Sequence, residues 1–140
     1  MIFRFGTHAL REVKETGERW MHASMEDFAN EWIASWNAHD IDRIAGHYAE
    51  DVVFYSPFVW KRLGLADGRI DGKAALRSYF SDALLANPGL RFDLDSLYEG
   101  MNSVGIRYMR PGGPVGFEMM VFDELGRVRE ARCHYFPGIQ

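Results

Sequence analysis

The order of the predicted elements indicates an α+β domain in which a curved antiparallel sheet packs on three helices. Three observations support this prediction: two amphipathic helical patterns near residues 24–48, one strand followed by a third helix, and a run of strands after residue 90. Helices and strands segregated along a chain in this way are typical of α+β folds. A chain of 140 residues is about one domain. A sheet covered by helices on one side would leave a cavity between the two layers.

The first half of the chain carries the helical patterns. Residues 1–23 form an N-terminal leader that we predict to be helical, and the domain itself is predicted to span residues 24–138. Ser24 and Asp27 form a capping box that opens the first helix, and Asp40 caps the second. The buried faces then follow at spacings of three and four residues: Met25, Phe28, Ala29, Trp32, Ile33 and Trp36 in the first helix, and Ile41, Ile44, Ala45 and Tyr48 in the second.

The remaining elements are predicted from residue type and from turn signals. Residues 52–58 read as a strand that Pro57 stops, and residues 61–69 read as a loop. A third helix begins after Gly72 and ends near residue 87, with a buried face of Ala75, Leu76, Tyr79, Phe80, Ala83 and Leu84. Four strands follow in a meander, at residues 91–98, 103–110, 115–122 and 127–136.

Composition excludes several classes of function. The net charge of −4 and the lack of a basic stripe argue against nucleic-acid binding. No stretch is apolar enough to predict a membrane span or a signal peptide. The single cysteine, Cys133, cannot form an internal disulfide, so we expect a cytoplasmic location. His39, Asp40, His47 and Asp51 have no regular ligand spacing, and we expect no metal and no cofactor.

Several fragments resemble the nuclear transport factor 2-like superfamily, in particular its SnoaL-like polyketide cyclases and ketosteroid isomerases. The fragments occur in family order over residues 26–136: Trp32-Ile33, Asp40-Ile41, Tyr48-Ala49-Glu50-Asp51, Pro57-Phe58, Gly72-Lys73, and Phe122 to Val128 in the last hairpin. The resemblance implies a cone-shaped fold with an internal pocket. It implies no particular reaction, because one fold hosts many functions.

The sequence departs from the resembled isomerases at their catalytic positions. Ser56 stands where those enzymes have the aspartate base, and Trp32 stands in place of the oxyanion-hole tyrosine. Their protonated aspartate aligns near Val115, and only a supporting tyrosine, Tyr48, is retained. The ketosteroid isomerase catalytic residues are therefore absent.

The resemblance also implies which side chains line the pocket, because alternate strand residues face the inside of the cone. The implied lining consists of Trp32, Trp36, Tyr48, Phe54, Ser56, Phe58, Phe80, Phe117, Met119, Cys133 and Tyr135. Such a lining suits a small apolar ligand, although the same aromatic residues could fill a solid core.

The catalytic residues stay unknown, with weak candidates in Tyr48, Ser56, Glu118 and His134. Strand alternation puts Glu118 and His134 on the outer face, opposite to Phe117 and Cys133, unless the last strand carries a bulge. Lys61 and Arg62 could attract an acidic group of a ligand or simply be solvated.

Two functions remain open at this point. The pocket could serve a cofactor-free isomerase, cyclase or dehydratase acting on a small apolar molecule. Alternatively, the protein is a non-catalytic ligand-binding or dimeric accessory protein. A homodimer is expected in either case, because a second copy of the chain could pack against the outer face of the single-layer sheet.

Overall fold

The computed structural model describes residues 24–139, so the predicted leader helix lies outside the described residues. Its first part contains α1 (Met25–Asn37), α2 (Ile41–Gly46), β1 (Tyr48–Tyr55), α3 (Pro57–Leu63), β2 (Arg69–Asp71) and α4 (Lys73–Ala86). Four strands follow: β3 (Asp93–Gly100), β4 (Ser103–Met109), β5 (Val115–Phe122) and β6 (Val128–Phe136).

The helix starts predicted from capping residues are confirmed. The Ser24 hydroxyl accepts a hydrogen bond from the Asp27 amide at the start of α1. The Asp40 carboxylate accepts one from the Arg43 amide at the start of α2. Both bonds satisfy amide groups that a first helical turn leaves without a backbone partner.

The six strands form one curved, open sheet in the order β2-β1-β6-β5-β4-β3, which confirms the predicted α+β fold class. All neighbouring pairs are antiparallel except β1 and β6, which run parallel. The hairpin from β5 to β6 places the last strand beside the first, and these two strands run in the same direction. The predicted sheet was antiparallel throughout, so this pairing is a difference in detail.

The segment around Pro57 differs from the prediction. Tyr48 begins β1 and does not belong to the second helix, and β1 ends at Tyr55. Ser56 caps α3, Pro57 occupies its first turn, and Gly64 ends it in the left-handed conformation. Proline is favoured at the first helical position, because an N–H group there has no hydrogen-bond partner within the helix. The predicted strand end and loop are thus a short helix followed by β2.

The register of β5 on β6 changes which side chains face the helices. Phe122 pairs with Val128, but Val121 pairs with Glu130, so Arg129 is an extra residue on β6. Beyond this bulge Glu118 pairs with Cys133, and both are buried on the helix side of the sheet. The sequence predicts Glu118 on the outer face unless the last strand carries a bulge. The bulge is present, so Glu118 faces the helices instead.

The core lies between the sheet and helices α1, α2 and α4. Its largest fully buried side chains include Phe28, Trp32, Tyr48, Tyr108 and Phe122. In α4 the predicted buried face holds for Leu76, Phe80 and Leu84, whereas Ala75 is exposed. No helix within residues 24–139 is long and apolar enough to cross a membrane.

Candidate functional site

A narrow cavity opens between the sheet and the ends of α1, α3 and α4. Its volume is about 60 Å³, enough for a few water molecules in the conformation described. The lining combines aromatic rings with a small number of polar groups: Trp36, Phe54, Ser56, Phe58, Arg62, Tyr79, Phe80, Ala83, Asn87, Leu90, Phe92, Tyr108, Arg110, Glu118, Cys133 and Tyr135. An apolar wall with a few convergent polar groups is typical of small-molecule sites.

Among the described residues that line this cavity, Glu118 is the one acidic residue. Its side chain is buried, and the Tyr108 hydroxyl donates a 3.1 Å hydrogen bond to Oε2. Burial raises the pKa of Glu118 to about 7, while the Tyr108 hydrogen bond opposes that shift by favouring the charged form. Both the neutral and the ionised form of the carboxyl group are therefore accessible near neutral pH.

The positions of Glu118 and Tyr108 depend on a glycine. Tyr108 on β4 is opposite Gly116 on β5, and a Cβ atom at residue 116 would lie 2.4 Å from Cζ of Tyr108. Only glycine lets the phenol ring lie across β5 and reach Glu118, two residues further along.

Three buried polar atoms at this cavity have no hydrogen-bond partner among the described residues. They are Oε1 of Glu118, Nε1 of Trp36 and Nη1 of Arg110. Buried polar groups are nearly always paired, and an unpaired one costs about 1–3 kcal/mol. One acceptor and two donors are thus free for a ligand, or for water when no ligand is bound.

Hydroxyl and thiol groups surround the same cavity. Ser56 Oγ accepts from the Phe58 amide as the cap of α3, and its neighbours in the lining include Tyr79, Cys133 and Tyr135. Burial raises the pKa of Tyr79 to about 12 and raises the pKa values of the Cys133 thiol and Tyr135 phenol. At neutral pH these groups are protonated donors, and the Cys133 thiol is a poor nucleophile.

Two arginines lie over aromatic rings of the lining. The guanidinium carbon of Arg62 is 5.7 Å from the ring centre of Phe58, and that of Arg110 is 5.6 Å from the same ring. Arg110 also lies 5.5 Å from the ring centre of Tyr135. Phe58 and Tyr135 in turn meet edge to face at 4.8 Å. These contacts hold both cations beside the pocket.

A second, outer depression continues from this cavity. It has a volume of about 370 Å³ and is formed by residues 86–91 and 110–113. Asn87, Leu90 and Arg110 line both spaces, so they mark the boundary between them.

The structure brings most of the predicted pocket residues together. Seven of them line the cavity: Trp36, Phe54, Ser56, Phe58, Phe80, Cys133 and Tyr135. Trp32 and Tyr48 are fully buried in the core beside it, where Trp32 Nε1 donates to the Tyr48 hydroxyl at 3.1 Å. Neither residue lines the cavity, so Tyr48 would not contact a ligand bound there in this conformation.

Phe117, Met119 and His134 lie on the opposite face of the sheet. The predicted inward orientation of Phe117 and Met119 is wrong, because the bulge at Arg129 reverses the alternation of β5 relative to β6. The Phe117 ring instead covers Gly105, where a Cβ would lie 2.5 Å from Cζ of Phe117. His134 is exposed beside Phe117, with a ring-centre separation of 5.8 Å.

Sequence reasoning missed Tyr108, Arg110 and Phe92 as lining residues. Phe92 precedes β3, and Tyr108 and Arg110 stand near the end of β4. The alternation of Val104, Ile106 and Tyr108 along β4 was an available signal, because all three are buried on one face.

The histidines considered for a metal site have other contacts. His39 Nε2 lies 2.9 Å from the Leu90 carbonyl oxygen, and His47 Nε2 lies 3.7 Å from Glu31. Within the part of the chain that the structure describes, no three His, Cys, Asp or Glu side chains converge in a way that could hold a metal ion.

Comparison with solved structures supports the fold assignment. A SnoaL-like protein of unknown function from Burkholderia thailandensis is 36% identical and superposes with a TM-score of 0.76, over 79% of this chain and 92% of that chain. A proposed polyketide cyclase from Sinorhizobium meliloti is 17% identical, with a TM-score of 0.63 over 77% and 94% of the two chains. A proposed ketosteroid isomerase from Kribbella flavida is 19% identical, with a TM-score of 0.58 over 80% and 77%. The last two likenesses show the fold alone.

Comparison of the sequence with family profiles gives the family. A search of curated proteins finds no significant match. The profile of the SnoaL-like domain matches residues 29–131, which includes most of α1, the whole of α2, α3, α4 and β1 to β5, and the start of β6. The chain therefore belongs to the SnoaL-like domain family, and its fold is that of nuclear transport factor 2-like proteins.

Proposed function

We propose that this protein catalyses proton transfer on a small, largely apolar carbonyl compound, as a cofactor-free isomerase, cyclase or dehydratase, with Glu118 as the acid–base group. The observation that carries the proposal is the buried Glu118 carboxyl in the lining of the cavity, whose Oε1 has no hydrogen-bond partner among the described residues. The fold relatives described as a polyketide cyclase and a ketosteroid isomerase make the same classes of reaction reasonable candidates here.

The ionisation of Glu118 suits this role. A general base works best when its pKa is near the operating pH, because it is then both available and basic enough. The pKa of about 7 meets this condition, whereas an exposed glutamate is a much weaker base. Ionised Glu118 would take a proton from a carbon next to the carbonyl group, and neutral Glu118 would return it elsewhere in the same molecule.

The negative charge that develops on the carbonyl oxygen needs a hydrogen-bond donor. Trp36 Nε1 is buried at the cavity and has no acceptor among the described residues, so it is available for this oxygen. Tyr79 and Tyr135 add phenol groups that burial keeps protonated. Fixed donors in a largely apolar site stabilise such an oxyanion more than water does.

The rings of Phe54, Phe80 and Phe92 would hold the apolar part of the molecule. Because the inner cavity is only about 60 Å³, a ligand larger than a few atoms would also occupy the outer depression or displace side chains at the mouth.

Exchange of hydrogen for deuterium tests the proposal without knowledge of the substrate. A panel of small ketones and keto acids is incubated in deuterated buffer with the protein, and loss of the proton signal next to the carbonyl is followed by NMR. We expect protein-dependent exchange for at least one compound, and a loss of roughly 100-fold or more in Glu118→Gln, as expected for removal of an acid–base group.

Glu124→Gln is the matched control, because Glu124 is an exposed carboxylate in the turn between β5 and β6. It should exchange at the rate of the unmodified protein. If Glu118→Gln and Glu124→Gln exchange equally fast, or if compounds bind without any exchange, the acid–base proposal is wrong and a ligand-binding role takes its place.

A further inference from the structure

Two cations at the mouth of the cavity, Arg62 and Arg110, form no ion pair among the described residues, although the charge of Arg110 favours the ionised form of Glu118. Elsewhere in residues 24–139 the common arrangement is a pair, such as Arg43 with Glu31, Arg91 with Asp93 and Arg132 with Glu130. Within the same range no carboxylate lies within 4.0 Å of a basic nitrogen of Arg62 or Arg110. These two arginines line the cavity and share the Phe58 ring.

Arg110 is the better placed of the two. It follows the end of β4, it lines both the inner cavity and the outer depression, and its buried Nη1 has no acceptor within residues 24–139. A buried guanidinium N–H that lacks an acceptor is costly, and a ligand oxygen would remove that cost. Guanidinium groups match carboxylate oxygens in planar geometry, which makes a carboxylate the natural partner.

The charge of the lining agrees with a single negative charge on the ligand. Among the described residues of the lining, the charged ones are Arg62, Arg110 and Glu118, so two positive charges and one ionised carboxylate give a net charge of +1. A monoanion would neutralise this charge while Glu118 is ionised. A neutral ligand would supply no negative charge to Arg110, whose Nη1 is buried, whereas Arg62 is exposed to water.

We propose that the pocket takes a small monocarboxylic acid, whose carboxylate is held at the mouth by Arg110 and Arg62 while its apolar part reaches into the inner cavity. The direction of binding rests on the proposed function, because it turns the carbonyl group of a keto acid toward Glu118. The carboxylate contact itself does not require catalysis, so the two proposals can fail separately.

Matched ligand pairs test this proposal by calorimetry. The probes are 4-oxopentanoate, phenylpyruvate and 3-benzoylpropanoate, each compared with its neutral amide. We expect at least one acid to bind roughly tenfold or more tightly than its amide, as charge-assisted hydrogen bonds predict. Higher salt concentration should weaken binding of the acid and leave binding of the amide unchanged.

Three arginine variants locate the contact. Arg110→Met and Arg62→Met keep much of the apolar stem but remove the charge, and each should lower the preference for the acid, with little preference left in the double variant. Arg77→Met is the control, because Arg77 lines neither the cavity nor the outer depression and is paired with Asp42 at 2.6 Å. It should bind acid and amide as the unmodified protein does. Circular dichroism checks that each variant is folded, and Arg62 is exposed, so its variant is expected to fold.

The proposal is overturned if no acid in the set binds better than its amide, or if the preference survives in the folded Arg62→Met/Arg110→Met protein. Glu118→Gln separates the two ideas: it should abolish deuterium exchange and keep the preference for the acid. Exchange that depends on Glu118 without any preference for acids would leave the proposed function intact and remove only the carboxylate site.

Discussion

At the scale of single residues, the properties of Glu118 follow from the atoms around it. Burial disfavours its charged form, and the Tyr108 hydroxyl at 3.1 Å partly compensates. A buried carboxyl group of this kind lowers the free energy of unfolding when it is ionised. Such destabilising groups are found more often at functional sites than elsewhere.

This cost predicts a pH-dependent stability. The ordinary pKa of a glutamate is 4.5, and the pKa of Glu118 in the folded state is about 7. Between these values the folded state holds a proton that the unfolded state has lost, so this residue's contribution to stability falls as pH rises from about 4.5 to about 7. We therefore expect the free energy of unfolding of Glu118→Gln, relative to the unmodified protein, to increase by about 2 kcal/mol or more between pH 5 and pH 8. Urea unfolding at the two pH values measures this difference.

Glu124→Gln is the reference for that experiment, because its carboxylate is exposed. Its free energy of unfolding should change with pH in the same way as that of the unmodified protein. The same pH dependence in Glu118→Gln would mean that Glu118 titrates normally in the folded protein.

At the scale of elements, the central strands carry the site because two glycines let aromatic rings cross them. Gly116 on β5 is covered by Tyr108 on the helix side, and Gly105 on β4 is covered by Phe117 on the other side. The same two strands thus present a phenol to Glu118 and a phenyl ring to the outer face.

Gly116→Ala should damage the site through Tyr108. The added methyl group would lie 2.4 Å from Cζ of Tyr108, so the ring has to move away from Glu118. We expect a loss of about 1–3 kcal/mol in the free energy of unfolding, which is typical of an overpacked core, together with a higher pKa for Glu118. The control is Gly46→Ala at the end of α2, where a Cβ would meet nothing within 4 Å. Equal stability of the two variants, measured by urea unfolding, would contradict this account.

The elements also show how far the sequence could predict the structure. Helices α1, α2 and α4 and the final meander were predictable, because their apolar spacing and caps are strong local signals. Helix α3 is not predicted, because Pro57 follows a strand-like run and indicates the end of that strand. The inward position of Glu118 was missed because one extra residue at Arg129 reverses the side-chain alternation. Nothing in the local sequence distinguishes this bulge from a regular hairpin.

At the scale of the whole molecule, the helices within residues 24–139 cover one face of the sheet. A row of half-buried apolar side chains runs along β5 on the other face: Val115, Phe117, Met119 and Val121. An outer face exposed to water normally carries polar residues at these positions. The expectation of a homodimer therefore stays a prediction, with this row as its proposed interface.

Met119→Glu tests the dimer prediction. A charge at a buried, apolar interface is strongly unfavourable, so we expect the variant to be a monomer at concentrations where the unmodified chain is a dimer. Light scattering coupled to gel filtration measures the mass. Leu85→Glu places the same charge on α4 at a residue that is 82% exposed, and it should leave the mass unchanged. An unmodified protein with the mass of one chain at tens of micromolar would contradict the prediction.

The most direct test of the central claim is the titration of the Glu118 carboxyl group in the folded protein. Carbon-13 NMR of protein labelled at the glutamate carboxyl carbons would follow it, with Glu118→Gln to assign the signal. We predict a pKa of about 7, and a still higher value in Tyr108→Phe, which lacks the hydrogen bond that favours the charged form. A value below about 5, as for an exposed glutamate, would contradict the account, because Glu118 would then be too weak a base for the proposed proton transfer.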